Sequence, residues 1–150
     1  MQESIKLTPK SYGPGGVEHF EKVVQNYSIM DGPYKRDIVG SLVAAAKKKG
    51  FGIGLYYSHV DGHDPTFAWD PFNLYYDFRF TKESDPRRWQ TFIDHEREQV
   101  RELMTNYGKI DYLDFDIGWP KAAATDIAAI TMMVRQLRPG VIIRGRGIGA

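Results

Sequence analysis

The sequence has no cysteine among its 150 residues, which excludes disulfides, thiolate metal sites and a cysteine nucleophile. It has no apolar run approaching the roughly 20 residues that cross a bilayer, so no membrane partner is expected. The opening stretch, MQESIKLTPKSYGPGG, carries no apolar core of the signal-peptide kind. Neither absence assigns a compartment. An excess of one charge is also lacking: 20 Lys and Arg against 19 Asp and Glu give a net charge of +1 and a pI near 7.9. Nothing therefore points to a nucleic-acid partner or an anionic lipid surface. There is no internal repeat and no low-complexity tract.

What is present is an ordinary globular balance, 42% apolar and 26% charged, at a length suited to one domain with a core and short for two. Aromatics make up 13%, with nine Tyr and three Trp; they suit a site that stacks on sugar rings and serve a core equally well. Residues 1–25 are expected to be irregular, with Gly13-Pro14-Gly15-Gly16 as loop residues. From Lys35 to Lys49, Ile38, Val39, Leu42, Val43 and Ala46 recur at helical spacing, and Gly50 is the stop. The Lys47-Lys48-Lys49 run suits the helix C-terminal dipole and reads as a solvated face. FGIGLYYS (51–58) reads as a strand with Phe51, Ile53, Leu55 and Tyr57 on one face and Gly52, Gly54, Tyr56 and Ser58 on the other.

Residues 59–84 form a connection rich in Asp, Pro and aromatics, longer than connections usually are. Asp85-Pro86 is a helix start, Asp as N-cap and Pro in the first turn. The helix carries Trp89, Phe92, Ile93, Val100, Leu103, Met104 and Tyr107 on one stripe and ends at Gly108. Ile110–Asp116 is a second strand, Ala122–Arg138 a third helix closed by Pro139, and Val141–Arg146 a third strand. Helices alternating with short apolar strands predict a parallel sheet of the α/β class.

The stretch IDYLDFDIGWP (110–120) places three aspartates in seven residues within an apolar run. Strand parity sorts them: Leu113 and Phe115 point one way, Tyr112, Asp114 and Asp116 the other. In an open doubly wound sheet helices cover both faces, and two inward carboxylates are hard to house. In a (β/α) barrel that second side is the interior, and chemistry occurs at its carboxyl-end rim. The same parity turns Gly52, Gly54 and Tyr56 inward on the first strand, and Arg144 and Arg146 on the third. The expected fold is an α/β, (β/α)8 TIM-barrel type, present as about three parallel strands with their helices, and residues 1–150 as part of one such domain.

Four ordered stretches then become specific: NYSIM…PYKRDIVG (26–40), GLYYS (54–58), LMTNYGKIDYLDFDIGWP (103–120) and RPGVIIRGRG (138–147). Together they resemble the retaining α-L-fucosidase family of glycoside hydrolases, from about Asn26 to the end of the chain. The resemblance implies hydrolysis of terminal α-L-fucosyl linkages in an oligosaccharide or glycoconjugate, with no metal or organic cofactor. It puts the catalytic nucleophile on Asp116 and substrate-binding roles on Tyr56 and Arg146; Trp119 and Asp114, beside Asp116 in the sequence, are expected as further substrate-binding residues. The oligomeric state stays open, a homo-oligomer included. The sequence also departs from the family. Asp114 stands where the family has a tryptophan, and the family's paired histidines have no counterpart upstream of Asn26. The general acid/base, a glutamate beyond the arginine strand, is expected after Ala150. A full barrel needs roughly 250 residues, so the chain reads as the middle of one.

Plainer readings stand beside these. Asp116 could cap the following helix, Tyr56 could be a core tyrosine, Arg146 could pair with a rim carboxylate, and Asp114 could be a structural acid of the barrel interior. His59, Asp61, His63 and Asp64 are of metal-binding types but lack a spacing that fixes a coordination sphere. GRGIGA (145–150) fits a nucleotide-loop pattern without the helix that must follow it. Asp111, Asp114 and Asp116 reproduce most of the DxxDxDxE strand of chitinase-type barrels, but Gly118 stands at the acid's position. A non-catalytic, carbohydrate-binding remnant is the alternative from another class.

Overall fold

Asp37 opens the first helix. Its Oδ1 accepts the Gly40 N–H at 2.8 Å, and its carbonyl accepts from the Ser41 backbone N–H and hydroxyl at 3.1 and 2.7 Å, satisfying groups that a helix start leaves open. The computed structural model describes residues 29–30, 32–58, 66, 82–116 and 124–145. Within them the order is α1 (Ile38–Lys48), β1 (Gly54–Ser58), α2 (Pro86–Thr105), β2 (Tyr112–Asp116), α3 (Ala124–Leu137) and β3 (Ile142–Gly145). The predicted alternation is observed; α1 and β1 each begin three residues later than expected and β2 two residues later, while β1 and β2 end where expected. The irregular segment 1–25, most of the 59–84 connection with its His59–Asp64 stretch, and 146–150 lie outside the described residues.

The three strands form one parallel sheet in the order β1-β2-β3. Asp111 ties their amino ends together. Its N–H donates to the Ile53 carbonyl at 2.8 Å and its carbonyl accepts from Ile142 N at 3.0 Å, while its Oδ2 accepts from Ile53 N at 2.9 Å. Lys109 Nζ sits 2.6 Å from Oδ1. The bond from Lys109 and then that from Ile53 hold this carboxyl below its ordinary pKa. Asp111 is thus a register clamp at the end of the sheet opposite the chemistry expected of a barrel. That removes the first acid of the chitinase-type pattern from any site.

Leu113 and Phe115 are buried, with Leu55, Tyr57 and Ile143 beside them, and α2 and α3 supply Val100, Met104, Ile130, Met133 and Val134 to the same core. Each such side chain, fully buried, stabilises the fold by about 1.5–3 kcal/mol. Asp85 caps α2 by accepting Arg88 N at 3.1 Å, with Pro86 beginning the helix. Asp126 joins α3 to α2: its Oδ2 accepts from Trp89 Nε1 and from Lys82 Nζ, both at 3.0 Å, and the Lys82 ammonium stands 5.3 Å over the Trp89 ring.

Three expectations need correction. On α1 only Val43 is buried, with Ala46 packed against the core; Ile38, Val39 and Leu42 are exposed, Leu42 by 66%. Apolar spacing identified the helix but not how much of its stripe this chain covers. Phe51 is exposed too, because pairing begins only at Ile53, and the residues before it are not held to the sheet. Lys47 is not merely solvated: its Nζ donates to the Tyr107 carbonyl at 2.6 Å. The bond fastens the end of α1 to the turn after α2, where Gly108 takes a φ of 68° that disfavours a side chain.

Candidate functional site

The strand doublet Tyr56-Tyr57 shows how the sheet divides its residues. Tyr57 turns to the helices, where its ring meets Phe115 edge-on at 6.0 Å and its hydroxyl donates to Gln99 Oε1 at 2.6 Å. Tyr56 turns to the opposite face and is 65% exposed. That face, free of helices among the described residues, carries Gly54, Tyr56 and Ser58 from β1, Tyr112 and Asp114 from β2, and Ile142 and Arg144 from β3.

The register arranges these residues in rows. Gly54, Tyr112 and Ile142 are level nearest the amino ends; Tyr56, Asp114 and Arg144 are level one step further; Ser58 is level with Asp116 at the carboxyl end. Gly54 is required in its row, since a Cβ there would lie 3.2 Å from Cδ1 of the Tyr112 ring. The Tyr112 hydroxyl donates to Asp114 Oδ2 at 2.9 Å, and Arg144 Nη1 stands 4.0 Å from the same oxygen, Asp114 being 16% and Arg144 70% exposed in their side chains. Arg144 is held above its ordinary pKa, first by its hydrogen bond to the Tyr112 hydroxyl and then by the electrostatics of Tyr112 and Asp114.

Of the residues named from sequence, the sheet brings Tyr56 and Asp114 into one row and sets the Asp116 backbone at the carboxyl end of the central strand. Tyr56 is level with Asp114, and Ser58 with Asp116. Trp119 and Arg146 lie outside the described residues. Tyr112 and Arg144 were not singled out as site residues. Parity placed both on the inward face, and the sequence spacing of two from Asp114 and the cross-strand register were the signals that link them.

Comparison with known proteins agrees with this arrangement. The family model described as alpha-L-fucosidase matches residues 15–148. A putative alpha-L-fucosidase 1 from Oryza sativa subsp. japonica is 30% identical over 144 residues, which is 93% of this chain and 24% of that protein. Among solved structures, the trapped covalent intermediate of an alpha-L-fucosidase from Bacteroides thetaiotaomicron, in complex with 2-fluoro-fucosyl fluoride, is 29% identical with a TM-score of 0.66, covering 78% of this chain and 25% of that one. A bacterial fucosidase with a monovalent iminocyclitol inhibitor is 28% identical with a TM-score of 0.68, covering 83% and 28%. The chain thus spans about a quarter of the length of these relatives. Its three parallel strands and their helices are part of a TIM-type barrel, the open face being the barrel interior. By the extent of the family match and the agreement in fold, the chain belongs to the alpha-L-fucosidase family of glycoside hydrolases.

Proposed function

We propose that the protein containing this chain hydrolyses terminal α-L-fucosyl linkages of oligosaccharides or glycoconjugates with retention of configuration, and that residues 1–150 form part of its single catalytic barrel domain. What supports this reading is the backbone position of Asp116 at the carboxyl end of the central strand, the end where barrel enzymes place their reacting groups. The covalent intermediate trapped in the Bacteroides thetaiotaomicron relative supports the retaining route, because a double displacement passes through a glycosyl–enzyme ester.

In the first step an Asp116 carboxylate oxygen bonds to the anomeric carbon as the bond to the leaving oxygen breaks. That oxygen takes a proton from a general acid, a second carboxyl about 5–5.5 Å from the first, which we place beyond residue 150. In the second step the same group, now a base, takes a proton from water. The water oxygen bonds to the anomeric carbon, and Asp116 leaves as a carboxylate with release of α-L-fucose. Tyr56, Arg146 and Trp119 hold the sugar, and Asp114 lines the floor of the site. No metal or organic cofactor takes part.

The full-length protein tests this directly. With 4-nitrophenyl α-L-fucoside, proton NMR at early times is expected to show α-L-fucose as the first-formed product, at a rate unchanged by a chelator. First-formed β-L-fucose would contradict the retaining route. Binding of fucosides without turnover would favour the carbohydrate-binding remnant. Activity lost to a chelator and restored by a divalent ion would contradict the cofactor-free claim.

A further inference from the structure

The row beneath Asp116 contains charges to which the fucosidase reading gives no task. Asp114 and Asp116 lie on one face of β2 with Cα atoms roughly 6.5–7 Å apart. Two carboxylates so placed penalise each other's ionisation, and a nucleophile must be ionised to attack. The register sets Tyr56 of β1 and Arg144 of β3 level with Asp114, and Tyr112 of its own strand donates to it. Ser58 is level with Asp116 on β1.

The Tyr112 hydroxyl donates to Asp114 Oδ2 at 2.9 Å, and Arg144 Nη1 stands 4.0 Å from that oxygen. We infer that Arg144 is a positioning residue for the reaction: level with Asp114 and 4.0 Å from its Oδ2, it neutralises Asp114 from one row below and so leaves Asp116 ionised at the pH of turnover. This rests on Asp116 being the nucleophile.

The test is the pH dependence of kcat/KM in the full-length enzyme, whose acid limb reports the nucleophile in the free protein. Removing the cation exposes Asp116 to an uncompensated charge about 7 Å away, which moves a pKa by about 0.4 to 1.7 pH units between solvent-like and protein-surface dielectrics. Arg144→Met is therefore expected to move the acid limb upward by that amount, and Arg144→Lys to leave it in place. Adding Asp114→Asn to Arg144→Met should return the limb to or below its original position, a recovery that mere structural damage would not give. Asp114→Asn alone, which retains the shape of the row, is expected to lower the limb, and it decides the matter even where Arg144→Met does not fold. An acid limb unmoved by both Arg144→Met and Asp114→Asn would overturn the inference. The nucleophile assignment is checked independently by azide rescue of Asp116→Gly. Rescue there, combined with unmoved limbs here, discards the role of Arg144 and keeps the fucosidase reading.

Discussion

Removing one hydroxyl from each of two adjacent tyrosines should produce opposite phenotypes, because Tyr56 and Tyr57 stand on opposite faces of β1. Tyr57→Phe keeps the ring against Phe115, 6.0 Å away, and deletes only the 2.6 Å hydrogen bond to Gln99. Both partners are half-buried, so water can reach Gln99 after the change and the full penalty of a buried orphan acceptor does not apply. The expected loss is about 0.5–1.5 kcal/mol of stability, with kcat/KM within about twofold of the parent. Tyr56→Phe sits on the exposed face, where surface changes usually lie within about 0.5 kcal/mol. On the proposed function its hydroxyl bonds to the sugar, and one neutral hydrogen bond of about 0.5–1.5 kcal/mol corresponds to roughly a 2- to 12-fold loss of kcat/KM. Urea denaturation of the full-length protein measures the first effect, and fucoside turnover the second. If Tyr57→Phe impaired turnover at unchanged stability while Tyr56→Phe destabilised without affecting turnover, the assignment of the two faces would be wrong.

Two further outcomes follow from the same packing. Phe115 is 1% exposed and lies between the two inward carboxylates of β2, so Phe115→Ala should cost about 3–5 kcal/mol, read as a lower urea midpoint, while Phe115→Leu should cost about 1.5 kcal/mol or less. Tyr107 is pushed up to about 12, first by desolvation and then by the Asp37 and Glu102 charges; its hydroxyl lies 3.5 Å from Asp37 Oδ1. The folded state therefore keeps a proton that the unfolded chain gives up near its ordinary value of 10.0. The stability it contributes is fully present below pH 10 and is lost as pH rises through about 12. Denaturation midpoints should fall across that window, and Tyr107→Phe should flatten the fall; an unchanged slope in the variant would refute the assignment.

The fold was legible because its signals are short-range. Asp85-Pro86 begins a helix wherever the chain goes next, and alternate apolar residues around Asp114 divide β2 into two faces before any partner strand is known. What pairs across strands was not legible. The level partner of Tyr56 is Asp114 and that of Asp116 is Ser58, a matter of register that Asp111 fixes with side-chain and backbone bonds to a residue 58 positions away. Likewise Glu96, 2% exposed, continues the buried stripe of α2 between Ile93 and Val100, at a position where a polar residue breaks the apolar pattern. His95 beside it is buried for the same lack of any sequence signal. Ile38, Val39 and Leu42 show the converse: amphipathic spacing locates an apolar face but says nothing of which surface covers it.

The central claim is that Asp116, not Asp114, attacks the sugar. Their places on one strand differ by a single inward step of roughly 6.5–7 Å, too far for both to reach one anomeric carbon, and Asp114 is already engaged by Tyr112 and Arg144. In the full-length enzyme Asp116→Gly should nearly abolish turnover of an activated α-L-fucoside, and added azide should restore it with β-fucosyl azide as the product, the azide entering on the face the carboxylate has vacated. Azide rescue of Asp114→Gly, with Asp116→Gly still fully active, would contradict the account.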